Sequence, residues 1–141
     1  MTRQFSAGGI VYKKEGETTK FLLIIPKPSV DFPKTRIGFP KGLIEKGESS
    51  EETVVREVKE ETGVNARIIK KVGDSKIFFT FQGEKIFKVI SYFLMEYSEG
   101  ELVGQKEEIE SVFWEEKDNV LNKLTYSSDK AIFKRALELL E

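Results

Sequence analysis

Gly42-Leu43-Ile44-Glu45-Lys46-Gly47-Glu48-Ser49-Ser50-Glu51-Glu52-Thr53-Val54-Val55-Arg56-Glu57-Val58-Lys59-Glu60-Glu61-Thr62-Gly63-Val64 is the stretch on which the fold turns. Ser49 with Glu52 three residues on is a capping-box signature, and Gly63 suits the left-handed position just past a helix end. The spacing therefore predicts a helix over roughly Ser50 to Thr62. On it Glu57, Glu60 and Glu61 stand at i, i+3 and i+4 and project from one side, while Val55, Val58 and Thr62 lie on another side, expected to face the core. Like charges at this spacing cost roughly 0.2–0.5 kcal/mol each, which a purely structural helix would avoid. A divalent cation removes that repulsion. Carboxylate ligands in a chain without histidine or cysteine point to Mg²⁺ or Mn²⁺, hard ions that also bind phosphate oxygens.

Around the helix the residue types suggest supporting roles. Arg56 is placed to pair with Glu48 and hold the preceding loop against the helix, a charge-assisted contact that orients rather than reacts. Gly42 and Gly63 are expected to supply backbone freedom at the two ends, Pro40 to stiffen the approach, and Lys41 to bring an ammonium near a phosphate.

Working outward, Ser6 to Lys13 and Lys20 to Ile25 read as a hairpin, and the proline-rich stretch Pro26 to Arg36 as a loop. That loop carries Lys27, Lys34 and Arg36 directly ahead of the motif, and is expected to be mobile and to close over a substrate. Beyond the helix, Ala66 to Val72, Ile77 to Phe81, Lys85 to Tyr97 and Ser111 to Trp114 read as strands, with a tight turn at Gln82-Gly83-Glu84. Lys117 to Leu124 reads as a short helix. Asp129 to Leu140 is amphipathic, with Ile132, Phe133, Ala136, Leu137 and Leu140 on one stripe. Strands on both sides of a central helix, with a second helix at the end, predict an α/β fold in which helices sandwich a mixed sheet.

Composition narrows the chemistry. A chain of 141 residues suits a single domain, residues 1–141, with one core. The longest apolar run, Phe21 to Ile25, is too short to span a bilayer, and no charged-then-apolar leader opens the sequence, so the cytoplasm is the expected location. With no cysteine or histidine, catalysis must use carboxylates, lysines, hydroxyls or a hard metal. A formal net charge of −1 argues against duplex nucleic acid as a partner.

Gly42, five residues, Glu48, seven residues, and then Arg56-Glu57-Val58-Lys59-Glu60-Glu61-Thr62-Gly63-Val64 is a full match to the Nudix box. A chance match of this kind is on the order of one in a million, which outweighs reading the helix as an ordinary solvated acidic face. The chain thus resembles the Nudix hydrolases, and the resemblance implies an α/β/α sandwich cleaving a pyrophosphate bond in a nucleoside diphosphate derivative. It further implies Glu57 and Glu61 as principal metal ligands, with Glu60 assisting. Glu108, in the turn before the Ser111-Val112-Phe113-Trp114 strand, looks like the additional ligand or base found there in many family members, with Glu107 in reserve.

Ser6-Ala7-Gly8-Gly9-Ile10-Val11-Tyr12, Phe39-Pro40-Lys41-Gly42, Ile77-Phe78-Phe79-Thr80-Phe81 and the Tyr126 to Ala131 stretch are similar to the bacterial asymmetric diadenosine tetraphosphate hydrolases. That branch splits its substrate with water into ATP and AMP. Phe79, Phe81 and Tyr126 are the candidate rings for stacking on adenine, with Lys41 and Arg36 as candidate phosphate contacts. Alternative substrates are oxidised nucleoside triphosphates, ADP-ribose and 5′-triphosphorylated RNA. A non-catalytic, nucleotide-sensing Nudix domain is the alternative of another class. Oligomeric state is not legible.

Overall fold

The computed structural model describes residues 1–103 and 107–141. In chain order the elements are β1 (Thr2–Glu15), β2 (Thr18–Pro26), β3 (Lys41–Leu43), α1 (Ser50–Thr62), β4 (Asn65–Phe81), β5 (Glu84–Glu99), β6 (Ile109–Glu116), α2 (Lys117–Lys123) and α3 (Ser127–Leu140). Among the described residues the strands form one six-stranded sheet in the order β4-β5-β1-β2-β6, with β3 paired to β1 off that path. β1 runs parallel to β5 and antiparallel to β2 and β3, which makes the sheet mixed as expected.

Successive strand residues point to opposite faces, so each central strand feeds two cores. Ile10, Phe21, Leu23, Tyr92 and Leu94 pack on one face with Val120 of α2 and Ile132, Phe133 and Ala136 of α3. Val11, Leu22, Phe93 and Met95 pack on the other with Val54 and Val58 of α1. The two helical layers therefore enclose a sheet buried on both sides, an α/β/α sandwich.

Three readings of the sequence change in the structure. β4 is one strand of 17 residues rather than two, because Gly73-Asp74-Ser75-Lys76, which looks like a break, stays paired to β5 through bulges. There Asp74 accepts from the Ser91 hydroxyl at 2.9 Å and pairs with Lys71 at 3.2 Å, so the polar residues find cross-strand and local partners. Lys41–Leu43, read as the approach to the helix, is the short strand β3. Val55 does not face the core. It is 41% exposed, while the buried stripe of α1 is Thr53, Val54, Glu57, Val58, Glu61 and Thr62. Val58 has neighbours at both i−3 and i−4, and packing selects Val54, which turns Glu57 and Glu61 inward as well.

Phe133 is fully buried, with Phe21 edge-on at 4.8 Å and Phe39 at 6.1 Å. Phe133→Ala is expected to lower the unfolding free energy by about 3–5 kcal/mol. Val55→Ala should change it by less than about 0.5 kcal/mol. Denaturant titration of both variants checks the assignment of the α1 and α3 faces.

Candidate functional site

Helix α1 begins with both halves of the capping box: Ser49 Oγ accepts from Glu52 N at 3.1 Å, and Glu52 Oε1 accepts from Ser49 N at 3.0 Å. It ends on Gly63 in the left-handed conformation, φ 84°, where the amide donates to the Lys59 carbonyl. A side chain at 63 would also overlap the Glu101 carbonyl. The motif helix is thus fixed at both ends by local chemistry.

Arg56 sits in the middle of a web of carboxylates. Its Nε and Nη2 donate to Glu48 at 2.7 and 2.9 Å, a two-pronged contact. Nη1 donates to Glu57 at 2.7 Å and to Glu60 at 3.2 Å. Glu48 also accepts from the Thr53 hydroxyl at 2.8 Å. The Arg56 hydrogen bonds, opposed in part by desolvation, hold the Glu48 carboxyl at a pKa of about 2. The guanidinium is held more firmly charged in return.

Glu57 and Glu61 are only 3% and 5% exposed. Glu61 Oε1 accepts from the Lys41 amide of β3 at 3.0 Å, which ties the helix to the strand before it. Gly42 lies between them, and a β-carbon there would overlap the Glu57 carboxyl group. Its backbone does not take the positive φ that favours glycine. Residue 42 is therefore glycine for clearance, not for the freedom expected of it, whereas Gly63 does use that freedom.

Beside these carboxylates lies a cavity of about 500 Å³ lined by Arg36, Lys41, Lys88, Phe79, Phe81, Tyr126 and Asp129 among others. It is the structure's meeting point for the candidate substrate residues. Phe79 and Phe81 share one face of β4, and Phe79 lies 5.9 Å from the Phe32 ring of the proline-rich loop. That loop contributes Phe32 and Arg36 to the cavity lining and touches the turn after β4: Asp31 accepts from the Gln82 amide at 3.2 Å, and within the loop Arg36 stacks on Phe32 at 4.7 Å. The Arg36 Nε is buried with no partner among the described residues. Tyr126, 44% exposed, caps the start of α3 at the cavity rim.

Glu108 is exposed in the turn before β6, where its carbonyl accepts from Lys27 N at 2.7 Å; like Glu57, Glu60 and Glu61, neither it nor Glu107 is among the residues lining the cavity itself.

Two cavity residues were missed in the sequence. Lys88 of β5 has its pKa pushed down to about 8 by burial and by Lys41, with Glu61 and Glu57 acting the other way. The available signal was a lone charge in the otherwise uncharged run from Ile86 to Met95. Asp129 is 5% exposed and accepts from the Tyr92 hydroxyl at 3.0 Å. Burial raises its pKa, against the opposing pull of Lys41 and the Tyr92 hydrogen bond. An aspartate at the start of a helix reads as solvated, so nothing in the sequence marked it.

The NUDIX domain profile matches residues 2–136. The chain belongs to the NUDIX family. A Mycobacterium tuberculosis relative bearing the name MutT4 is 32% identical over 102 residues, covering 72% of this chain and 41% of that one. The chain spans under half the length of the curated relatives it matches first. Among solved structures, a Caenorhabditis elegans Ap4A hydrolase binary complex superposes with a TM-score of 0.78 at 21% identity, covering 97% of both chains. The NUDIX domain of Shewanella oneidensis NrtR, complexed with ADP ribose, does so with a TM-score of 0.77 at 20% identity, covering 100% of this chain and 90% of the other. At these identities the structural likeness speaks for the fold.

NUDIX hydrolases generally use divalent metal ions, and the residues of this chain fit one. The donor set is oxygen only, and Gly42 leaves the Glu57 carboxyl the space a side chain would fill. Among the described residues no group of three or more acidic side chains already stands placed to hold a metal ion, so the fit is one of donor chemistry and not of a preformed site.

Because the Glu48 carboxyl is held at about 2, below its ordinary value, the Glu48–Arg56 pairing stabilises the fold fully above about pH 4.3 and is lost as pH falls through about 2. Urea unfolding between pH 7 and 2 should therefore show a falling midpoint over that window, and Glu48→Gln should flatten the fall.

Proposed function

We propose that this chain is a single-domain, Mg²⁺- or Mn²⁺-dependent pyrophosphohydrolase of nucleotide derivatives, with diadenosine tetraphosphate, cut to ATP and AMP, as its preferred substrate. One observation carries the reading. Two buried carboxylates on one helix, Glu57 and Glu61, adjoin a cavity of about 500 Å³ that combines cationic side chains with aromatic rings. Each half of that combination matches one half of a nucleotide: Lys41, Lys88 and Arg36 for the phosphates, Phe79, Phe81 and Tyr126 for the base.

Glu57 and Glu61, with Glu60 beside them, would hold the metal, which supplies charge neutralisation on phosphate oxygens and a more acidic water. In the hydrolysis, the oxygen of the incoming water bonds to one phosphorus and the bridging P–O bond breaks toward the other. The water's proton passes to a carboxylate of the same set. Lys41 and Lys88 offset charge on the released phosphate, and Arg56 keeps the carboxylates aligned through its contacts with Glu48, Glu57 and Glu60. Glu108, exposed in the turn before β6, would serve as the additional ligand or base of this centre.

Purified protein incubated with Mg²⁺ is expected to convert diadenosine tetraphosphate to ATP and AMP faster than it cleaves oxidised nucleoside triphosphates, ADP-ribose or 5′-triphosphorylated RNA, followed by chromatography. Glu57→Gln and Glu61→Gln should each lose about 100-fold or more in kcat with their thermal stability retained. Failure to cleave any pyrophosphate in the panel, or full activity in both variants, would sink the proposal. Phe79→Ala is expected to raise KM about tenfold and leave kcat near its starting value, as stacking is worth about 1–3 kcal/mol.

A further inference from the structure

We propose that Asp129 selects the nucleobase: one carboxylate oxygen accepts a hydrogen bond from the 6-amino group of a purine ring seated in the aromatic cavity. The inference rests on the nucleotide reading above, but on the recognition of the base rather than on its cleavage.

Asp129 is almost fully buried, yet its hydrogen-bond partner among the described residues is a neutral phenol rather than a cation. A buried carboxyl that is hydrogen-bonded to a neutral phenol, and on which Lys41 acts through its charge, is costly to retain, and an apolar residue would serve the core better. Tyr92 aims the group. It is fully buried, packs edge-on to Phe39 at 6.2 Å, and its hydroxyl holds Oδ1 at 3.0 Å.

The second oxygen, Oδ2, faces Gly38, where an added β-carbon would come within 3.1 Å of it. Glycine at 38 therefore keeps a side chain off Oδ2, and Asp129 lines both the aromatic cavity and a separate small pocket of about 30 Å³ that shares Lys41, Arg36 and Tyr126 with it. Ionised, the carboxylate is an acceptor only. Adenine presents an amino donor at its 6-position, whereas hypoxanthine presents a carbonyl oxygen there. Two acceptors would then face each other with no proton between them. The cavity thus brings together rings for the base, cations for the phosphates and one fixed acceptor for the base edge.

The test is titration calorimetry of AMP and IMP at pH 8 against the intact protein, Asp129→Asn and Tyr92→Phe. The intact protein should bind AMP roughly tenfold or more tighter than IMP. In Asp129→Asn the Tyr92 hydroxyl holds the amide oxygen and turns the amide NH₂ toward the base, so the preference should vanish or reverse toward IMP. Tyr92→Phe, which releases the carboxyl but keeps it, should retain the sign of the preference and reduce its size. Equal binding of AMP and IMP by the intact protein overturns the inference, as does an unchanged preference in Asp129→Asn. The comparison on the intact protein decides the matter even if a variant fails to fold. Cleavage of diadenosine tetraphosphate without any preference for AMP would overturn this inference and leave the proposed hydrolase standing. A clear preference for AMP without any pyrophosphate cleavage would do the reverse.

Discussion

Burying two carboxylates on one helix is the constraint around which this molecule is arranged. Glu57 and Glu61 lie in the same stripe of α1 as Val54 and Val58, so the face that anchors the helix to the sheet also carries its acidic groups. Uncompensated, such burial would cost several kcal/mol per charge. The compensation is specific: the Arg56 guanidinium against Glu57 and the Lys41 amide against Glu61. Glu48 takes the two remaining guanidinium nitrogens and locks the arginine in place. The motif's fixed residues thus form one electrostatic unit.

That unit reaches the cavity through β3. Lys41 donates its backbone amide to Glu61 and lines the cavity with its side chain, so one residue joins the acidic centre to the binding space. The opposite wall comes from β4 and β5, whose two-residue turn at Gln82-Gly83, with φ of 51° and 77°, holds the aromatic strand against the proline-rich loop. The sheet and helix position the charges, and the proline-rich loop adds Phe32 and Arg36 to the cavity lining.

The sequence disclosed what depends on local rules. Helix α1, its caps and its acidic spacing were readable because capping chemistry and the i, i+3, i+4 pattern act within a few residues. The α/β/α layering was readable because the strand and helix periods differ. What escaped depends on tertiary context. Val54 and Val55 are both compatible with the spacing of Val58, and only docking against the sheet chooses between them. Gly42 looked like a hinge because the carboxyl group that needs its space comes from a residue 15 positions on. Lys88 and Asp129 were missed because burial of a charge is a property of the assembled cavity. The break read at Gly73 was a bulge, which paired strands tolerate and isolated sequence does not reveal.

The parallel pairing of β1 with β5 has a consequence for how the chain reaches this state. Tyr12 pairs with Glu96, 84 residues away, and everything from β2 through β4, including the motif helix, lies in the intervening loop. Closing a loop of that size carries an entropic penalty that local contacts do not offset until the strands meet. The β1–β5 pairing is therefore a late event in folding, and β1 has only β2 and β3 as strand partners until synthesis has passed β5. Helix α1 can acquire its caps early, but the surface that buries Glu57 and Glu61 exists only once the distant halves of the chain are joined.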